Sequence, residues 1–176
     1  MDDSLQEWLA QEERVLGAMR GGAGVGVARR EQVAGLSGLD MMQAMLRGEL
    51  PYPPIAETLD FTLVAVGEGT ATFQGRPLER HLNPLGTVHG GWFATLLDSA
   101  LGCAVHTRMP AGRAYTTAEL GVNLVRALSP QVPRVRAIGQ VLHAGRQLAT
   151  AEARLVGPDG TLYAHATTTC LVFEAR

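Results

Sequence analysis

Gly90-Gly91-Trp92-Phe93-Ala94-Thr95-Leu96-Leu97-Asp98-Ser99-Ala100-Leu101-Gly102-Cys103-Ala104-Val105-His106 is the stretch on which the reading of this chain turns. Its spacing predicts a helix from Gly90 to His106 in which Phe93, Ala94, Leu96, Leu97, Ala100, Leu101, Cys103, Ala104 and Val105 point in nearly every direction around the axis. A helix that is apolar all round has to be buried on all sides. The material available to bury it lies on either flank, and both flanks read as strand.

Upstream, from Ile55, the hydrophobic period changes to two: Ile55, Leu59, Phe61 and Leu63 alternate with Ala56, Thr58, Asp60 and Thr62. Gly67-Glu68-Gly69 turns the chain into a second strand near Thr70–Gln74, and a loop with Pro77 and Pro84 leads to the helix. Downstream, strands are expected near Tyr115–Leu128, Arg134–His143, Gln147–Val156 and Thr161–Glu174. Ala144-Gly145 and Gly157-Pro158-Asp159-Gly160 mark hairpin turns between the last three. A long antiparallel sheet wrapped around one central helix satisfies the burial requirement. That is the α+β hot-dog architecture.

Residues 1–53 read differently and form a helical extension ahead of a domain at 54–176. Ser4, with Glu7 three residues on, is placed to cap a first helix carrying Leu5, Trp8, Leu9, Leu16 and Met19 on one stripe, ended by the glycines at 21, 22, 24 and 26. A second, from Leu39 to Arg47, is capped by Ser37 and stopped by Gly48. Its Met41, Met42 and Met45 read as core, or as the lining of an apolar pocket if the extension folds over one. Pro51-Tyr52-Pro53-Pro54 closes the segment.

Composition narrows the chemistry. The chain has 176 residues, 46% apolar and 18% charged, which is enough for one domain with a core. A net charge of -2 argues against nucleic-acid binding driven by bulk positive charge. All fifteen basic residues are arginine, which excludes a Schiff-base or phosphate-loop lysine. The two cysteines, Cys103 and Cys170, form no CxxC pair, and the five histidines show no HxH or HExxH spacing, so neither a metal nor another cofactor is expected. Gly22–Gly26 does not fit GxGxxG, and Gly35-Leu36-Ser37-Gly38 is not GxSxG. Met1-Asp2-Asp3 does not open a secretory signal, and no run of about 18 apolar residues is present to span a membrane, so a cytoplasmic protein is expected.

Between Leu82 and Thr107, Asp98 is the sole Asp, Glu, Lys or Arg. Burying an unpaired carboxylate costs several kcal/mol, so on an otherwise apolar helix it calls for a compensating role. Eight residues earlier, His89-Gly90-Gly91 opens the same helix. A helix N-terminus presents unpaired N–H groups, and glycine lets a ligand approach them, a combination suited to a carbonyl oxygen that gains charge. Taken alone, His89 reads as a structural histidine and Asn83 as a turn residue.

Together, His81-Leu82-Asn83-Pro84-Leu85-Gly86-Thr87-Val88-His89-Gly90-Gly91 and Asp98 resemble the acyl-CoA thioesterases of the hot-dog superfamily, in particular the phenylacetic-acid-pathway branch. Thr116-Thr117-Ala118-Glu119-Leu120-Gly121-Val122-Asn123-Leu124-Val125-Arg126 resembles the strand after the helix in that family, with Ala127 where proline is common. The resemblance covers about Pro54 to Phe173. It implies that Asp98 acts as general base on water or as nucleophile on the thioester carbonyl, that the Gly90 N–H polarises that carbonyl, and that Asn83 holds the water or the thioester. It also implies that Thr117, or Thr116 if the register slips by one, assists, and that His89 and Gly91 contact substrate. Thiolate is a good leaving group, so a carboxylate, an oxyanion donor and a positioned water suffice. The CoA phosphates call for arginine, and Arg126, Arg134, Arg136 and Arg146 stand on or between the late strands. The acyl-CoA carries a medium-chain or aryl group in this reading, and the protein is a homodimer or a dimer of dimers. A hot-dog hydratase or dehydratase is the second enzyme reading, but Cys103 occupies the place of its helix histidine. A non-catalytic acyl-CoA or acyl-carrier binding module is the third, and would gain nothing from Asp98.

Overall fold

The computed structural model describes residues 3–175, with Met1, Asp2 and Arg176 outside them; the reading of the first residues as no secretory signal therefore falls partly outside the described residues. Four helices come first: α1 (Asp3–Gly21), α2 (Arg30–Val33), α3 (Gly38–Leu46) and α4 (Pro54–Thr58). Strands β1 (Phe61–Gly67) and β2 (Thr70–Gly75), a 3-10 turn (Glu79–His81) and the central helix α5 (Gly90–His106) follow. β3 (Arg113–Leu124), β4 (Val135–Ala144), β5 (Leu148–Val156) and β6 (Leu162–Glu174) complete the chain. The six strands form one antiparallel sheet in the order β1-β2-β4-β5-β6-β3, with α5 against its concave face: a hot-dog fold.

Register explains how the sheet accepts a helix. The row Leu63, Phe73, Ala137, Leu155 and Ala164 runs across β1, β2, β4, β5 and β6, and every member is buried. Two residues along lies a row of small side chains, Ala71, Gly139, Ala153 and Ala166. α5 settles onto it so closely that a Cβ at Gly139 would lie 2.4 Å from the Ala100 carbonyl oxygen. Leu96, Leu97, Leu101 and Val105 lose all solvent exposure there. At about 1.5–3 kcal/mol each, their burial contributes at most roughly 6–12 kcal/mol.

α5 is not enclosed on every side, as its composition had suggested. Ala94, Thr95, Asp98, Ser99, Cys103 and His106 remain half-buried, on the side where the curled sheet stays open between its edges β1 and β3. Small and polar residues on this stripe are compatible with partial hydration, which an all-aliphatic stripe would resist.

The extension wraps the β1 edge. α1 crosses the outer face, where Thr62, Gln74 and Arg136 form a row. The Arg136 guanidinium stacks 4.4 Å over the Trp8 ring and donates to Gln11 and Gln74 at 2.8 Å each, while Arg134 pairs with Glu12 at 2.8 Å. These two arginines, expected as CoA contacts, thus hold α1 to the sheet. α3 continues around the edge to α5, its start fixed by the Gly38 N–H donating to the Met109 carbonyl at 2.9 Å. Ser37 caps it in a box with Asp40, and Gly48 at φ 75° ends it, as its sequence predicts.

Other local expectations need correction. Ser4 lies inside α1, which already includes Asp3. The strand expected from Ile55 begins at Phe61, because Pro54, pre-set for the first helical turn, starts α4 instead. The strand after α5 runs Arg113–Leu124, since Leu128 is drawn away to accept the Val88 N–H at 3.0 Å.

Substituting Gly139→Ala forces α5 away from β4. The expected result is a loss of roughly 1–3 kcal/mol of unfolding free energy, read as a lower urea midpoint. An unchanged midpoint would contradict the close helix–sheet approach.

Candidate active site

The loop before α5 is built to present the helix start. Leu82 and Val88 bridge its base, and the Asn83 N–H donates to the Thr87 carbonyl at 2.8 Å. The Asn83 carboxamide works within the loop: Oδ1 accepts from the Leu85 and Thr87 N–H groups at 2.9 and 3.3 Å, and Nδ2 donates to the Thr87 hydroxyl at 2.9 Å. One N–H of Nδ2 is left without a partner among the described residues. The His89 N–H donates to the His81 carbonyl at 2.8 Å, and Trp92 is clamped by stacking on His81 and by donating Nε1–H to the Leu59 carbonyl at 2.8 Å.

His89 is the N-cap of α5. Its Nδ1 accepts the Gly91 N–H at 2.8 Å, which puts the ring proton on Nε2. Gly91 is therefore engaged, whereas the neighbouring Gly90 N–H meets no acceptor among the described residues. A Cβ at Gly90 would come within 3.0 Å of Leu124 Cδ1, so the absence of a side chain keeps that N–H approachable.

Asp98 sits halfway along the open side of α5, where the Thr117 hydroxyl donates to its Oδ1 at 3.1 Å. Thr117 faces the helix and Thr116 is exposed, which resolves the one-residue ambiguity in register. A bulge between Thr117 and Glu119 lies at this point of β3 and is the kind of irregularity that re-aims a strand side chain. Tyr115, two residues before Thr117 and so on the same face, completes the surroundings with Cys170 and Cys103. Burial holds the Tyr115 phenol well above its usual range, with the Asp98 charge adding to the shift. Burial pushes the Cys103 thiol up to about 12, with Asp98 again adding, and it raises Cys170 as well. The sequence reading missed Tyr115 and both cysteines as neighbours of the carboxylate. Period two counted back from Thr117 would have found Tyr115.

Within one chain the predicted residues fall into two groups. Asp98 and Thr117 meet; Asn83, His89, Gly90 and Gly91 gather at the helix start, about 12 Å away along the axis at 1.5 Å per residue. Arg126 and Arg146 do not meet either. Arg146 precedes β5, whereas the Arg126 N–H bonds the Tyr163 carbonyl beside the last residues of that strand, about 27 Å away. No group of three or more His, Cys, Asp or Glu suited to a metal occurs among the described residues, and no helix among them is long and apolar enough to cross a membrane.

The thioesterase superfamily profile matches residues 85–164. A putative thioesterase from Ralstonia eutropha JMP134, described as phenylacetic acid degradation-related, is 30% identical over 74% of this chain and 98% of its own, with a TM-score of 0.67. The chain belongs to the PaaI-like thioesterases of the hot-dog superfamily. A variant of the phenylacetic acid degradation protein PaaI from Thermus thermophilus is 29% identical over 67% of this chain and 97% of its own, at a TM-score of 0.60. A thioesterase family protein from Silicibacter pomeroyi is 26% identical over 69% and 90%, at 0.64. A comparison with curated proteins finds no match. This PaaI-like thioesterase is a thioester hydrolase, and the chemistry to be assigned to its residues is attack on a thioester carbonyl.

A thiol at about 12 carries roughly one thiolate in 10⁴ at pH 8. Cys103 in the folded protein should therefore be alkylated by iodoacetamide at pH 8 at least 10²-fold more slowly than in urea. Equal rates, followed by peptide mass spectrometry, would contradict the buried neutral thiol.

Proposed function

We propose that this thioesterase hydrolyses medium-chain or aryl acyl-CoA, with Asp98 and Thr117 of one chain and Gly90 of a second chain acting on the same carbonyl. The single observation carrying this reading is the pairing of a positioned carboxylate with an unengaged helix N-terminal N–H on one rigid helix, too far apart to share a substrate. The reacting atoms need contacts of ~3–3.5 Å, against the ~12 Å that separates the two groups in one chain. A two-fold partner running antiparallel would set its Asp98 beside the first chain's Gly90 and create two sites per dimer. Two features favour such a partner: the half-open stripe of α5 and the twelve-residue edge strand β3, which has β6 on one side and no strand on the other among the described residues.

In this site the Gly90 N–H would donate to the thioester oxygen as it gains charge. Thr117 holds the Asp98 carboxylate by one oxygen. As general base, Asp98 takes a proton from the attacking water, the tetrahedral centre collapses, the C–S bond breaks, and the thiolate leaves with that proton. As nucleophile, its oxygen attacks the carbonyl, the C–S bond breaks and the CoA thiolate leaves, giving an acyl-carboxylate anhydride; water then opens the anhydride, freeing the acid and the Asp98 carboxylate, and the water's released proton goes to the thiolate. Asn83 would hold the water or the thioester through its remaining N–H, while His89 supports the helix start through Gly91. For the CoA phosphates, Arg146, Arg113 and Arg108 border a cleft of about 360 Å³ beside the β4–β5 turn. Arg108 pairs with Glu68 and Arg113 bonds the Arg146 carbonyl, which leaves the exposed Arg146 guanidinium as the best placed of the three.

Asp98→Asn is nearly isosteric and should lower kcat for acyl-CoA hydrolysis by ~10²–10⁴ with the fold retained; wild-type kcat in a folded variant would remove Asp98 from the mechanism. Gly90→Val should lower kcat/KM by roughly 3 kcal/mol, the loss of one oxyanion donor. Mixing the two inactive homodimers then tests the shared site. Random exchange yields half mixed dimers, each with one intact site, so about a quarter of wild-type activity should return. No recovery after demonstrated exchange would place both groups in one chain's site.

A further inference from the structure

An apolar cavity of about 280 Å³ lies between the extension and the hot-dog sheet. Met42 and Met45 of α3 form one wall, Leu63 and Phe73 of β1 and β2 the other, Val27 stands at its edge, and Cys103 is the α5 residue that reaches it. No charged side chain lines it. Cys103 lies five residues beyond Asp98, about 7.5 Å along the axis and about 140° around it, and both belong to the half-buried side of the helix. A chain attached to a carbonyl at Asp98 that runs away from the helix start and around α5 toward β1 therefore meets an apolar space.

We infer that this cavity holds the acyl chain of the substrate, so that the α3 methionines of the extension, rather than the hot-dog domain alone, set the chain length the enzyme accepts. The inference rests on the thioesterase reading given above and adds the substrate class: a straight apolar chain. A methylene takes up nearly the room of a water in the liquid, about 30 Å³, so the cavity suits roughly eight to ten carbons. Methionine is unbranched and polarizable and repacks around irregular guests, so neighbouring chain lengths should bind with graded rather than abrupt losses. The α3 wall is fixed at both ends, by the Ser37–Asp40 cap and by Gly48. It also lies outside the superfamily match, which begins at residue 85. Residues 1–53 are about 30% of the chain, comparable with the 26–33% left uncovered by the relatives that span 67–74% of it.

The test compares kcat/KM for butanoyl-CoA and decanoyl-CoA in the wild type, in Met45→Trp and in Val27→Trp; Val27 is 81% exposed, so its replacement does not threaten folding. Each buried methylene is worth about fourfold, so losing room for two or three should lower the decanoyl-to-butanoyl ratio by about 15–60-fold. A wild type that favours butanoyl-CoA, or a ratio that stays within twofold in both folded variants, overturns the inference. Calorimetry with decanoate, the free acid, separates this from the function reading. If no acyl-CoA is hydrolysed, the hydrolase reading fails, yet saturable decanoate binding that is lost in Met45→Trp still supports the cavity. Equal decanoate binding in wild type and variant, or none in the wild type, overturns the inference whatever the catalytic result.

Discussion

Enclosing α5 without sealing Asp98 is the constraint on which the rest of this structure depends. The aliphatic residues of the helix need to leave water, and a carboxylate in the same environment would have to be protonated or compensated. The sheet meets both demands by curling only part of the way around. Small residues at Ala71, Gly139, Ala153 and Ala166 let the helix sink into the concave face, while the gap between the two edge strands leaves a half-buried stripe on which Asp98 sits. Thr117 supplies a polar contact from the strand bordering that gap.

A partly closed sheet has two edges to manage, and the chain treats them differently. The β1 edge is wrapped by the extension, fastened through a mixed set of contacts: Arg136 stacked on Trp8, amide bonds through Gln11 and Gln74, and the half-buried Arg134–Glu12 pair. Burial lowers the pKa of the Arg136 guanidinium, and the stacking and hydrogen bonds compensate for part of the water it gives up. The β3 edge has no such cover. The asymmetry follows from what each edge borders: β1 lies beside the apolar cavity, β3 beside the carboxylate.

The helix was legible because burial on so many sides leaves few alternatives, and its bounds in the structure match the reading from Gly90 to His106. The antiparallel strands were legible from period-two alternation and turn residues. What misled the reading was local. Pro54 favours a helical turn more strongly than the alternation of the next residues favours a strand, and Ser4 resembles a cap although the helix already includes Asp3. At the site, the spacing of Gly90 and Asp98 was readable because helix geometry converts residue number into distance. The arginines were not. A charged residue on a strand carries no mark of whether it meets a phosphate or a tryptophan from the other end of the chain, and Arg136 meets Trp8. Contacts formed at such separation depend on the path of the whole extension.

The neutral state of Cys103 bears on the fate of the reaction itself. A thiolate beside a thioester is a competitor for water: by exchange it would take the acyl group onto the protein and release CoA without releasing the acid. That side reaction needs an ionised sulfur within reach of the thioester carbonyl, and Cys103 stands five residues from Asp98 at the cavity proposed for the acyl chain. Burial and the nearby Asp98 charge hold its proton in place, so a thioester held near Asp98 would meet a neutral sulfur rather than a competing nucleophile. A carboxylate proposed to promote attack by water would thus also quiet the nucleophile that could divert it, and leave the site free for the next turnover.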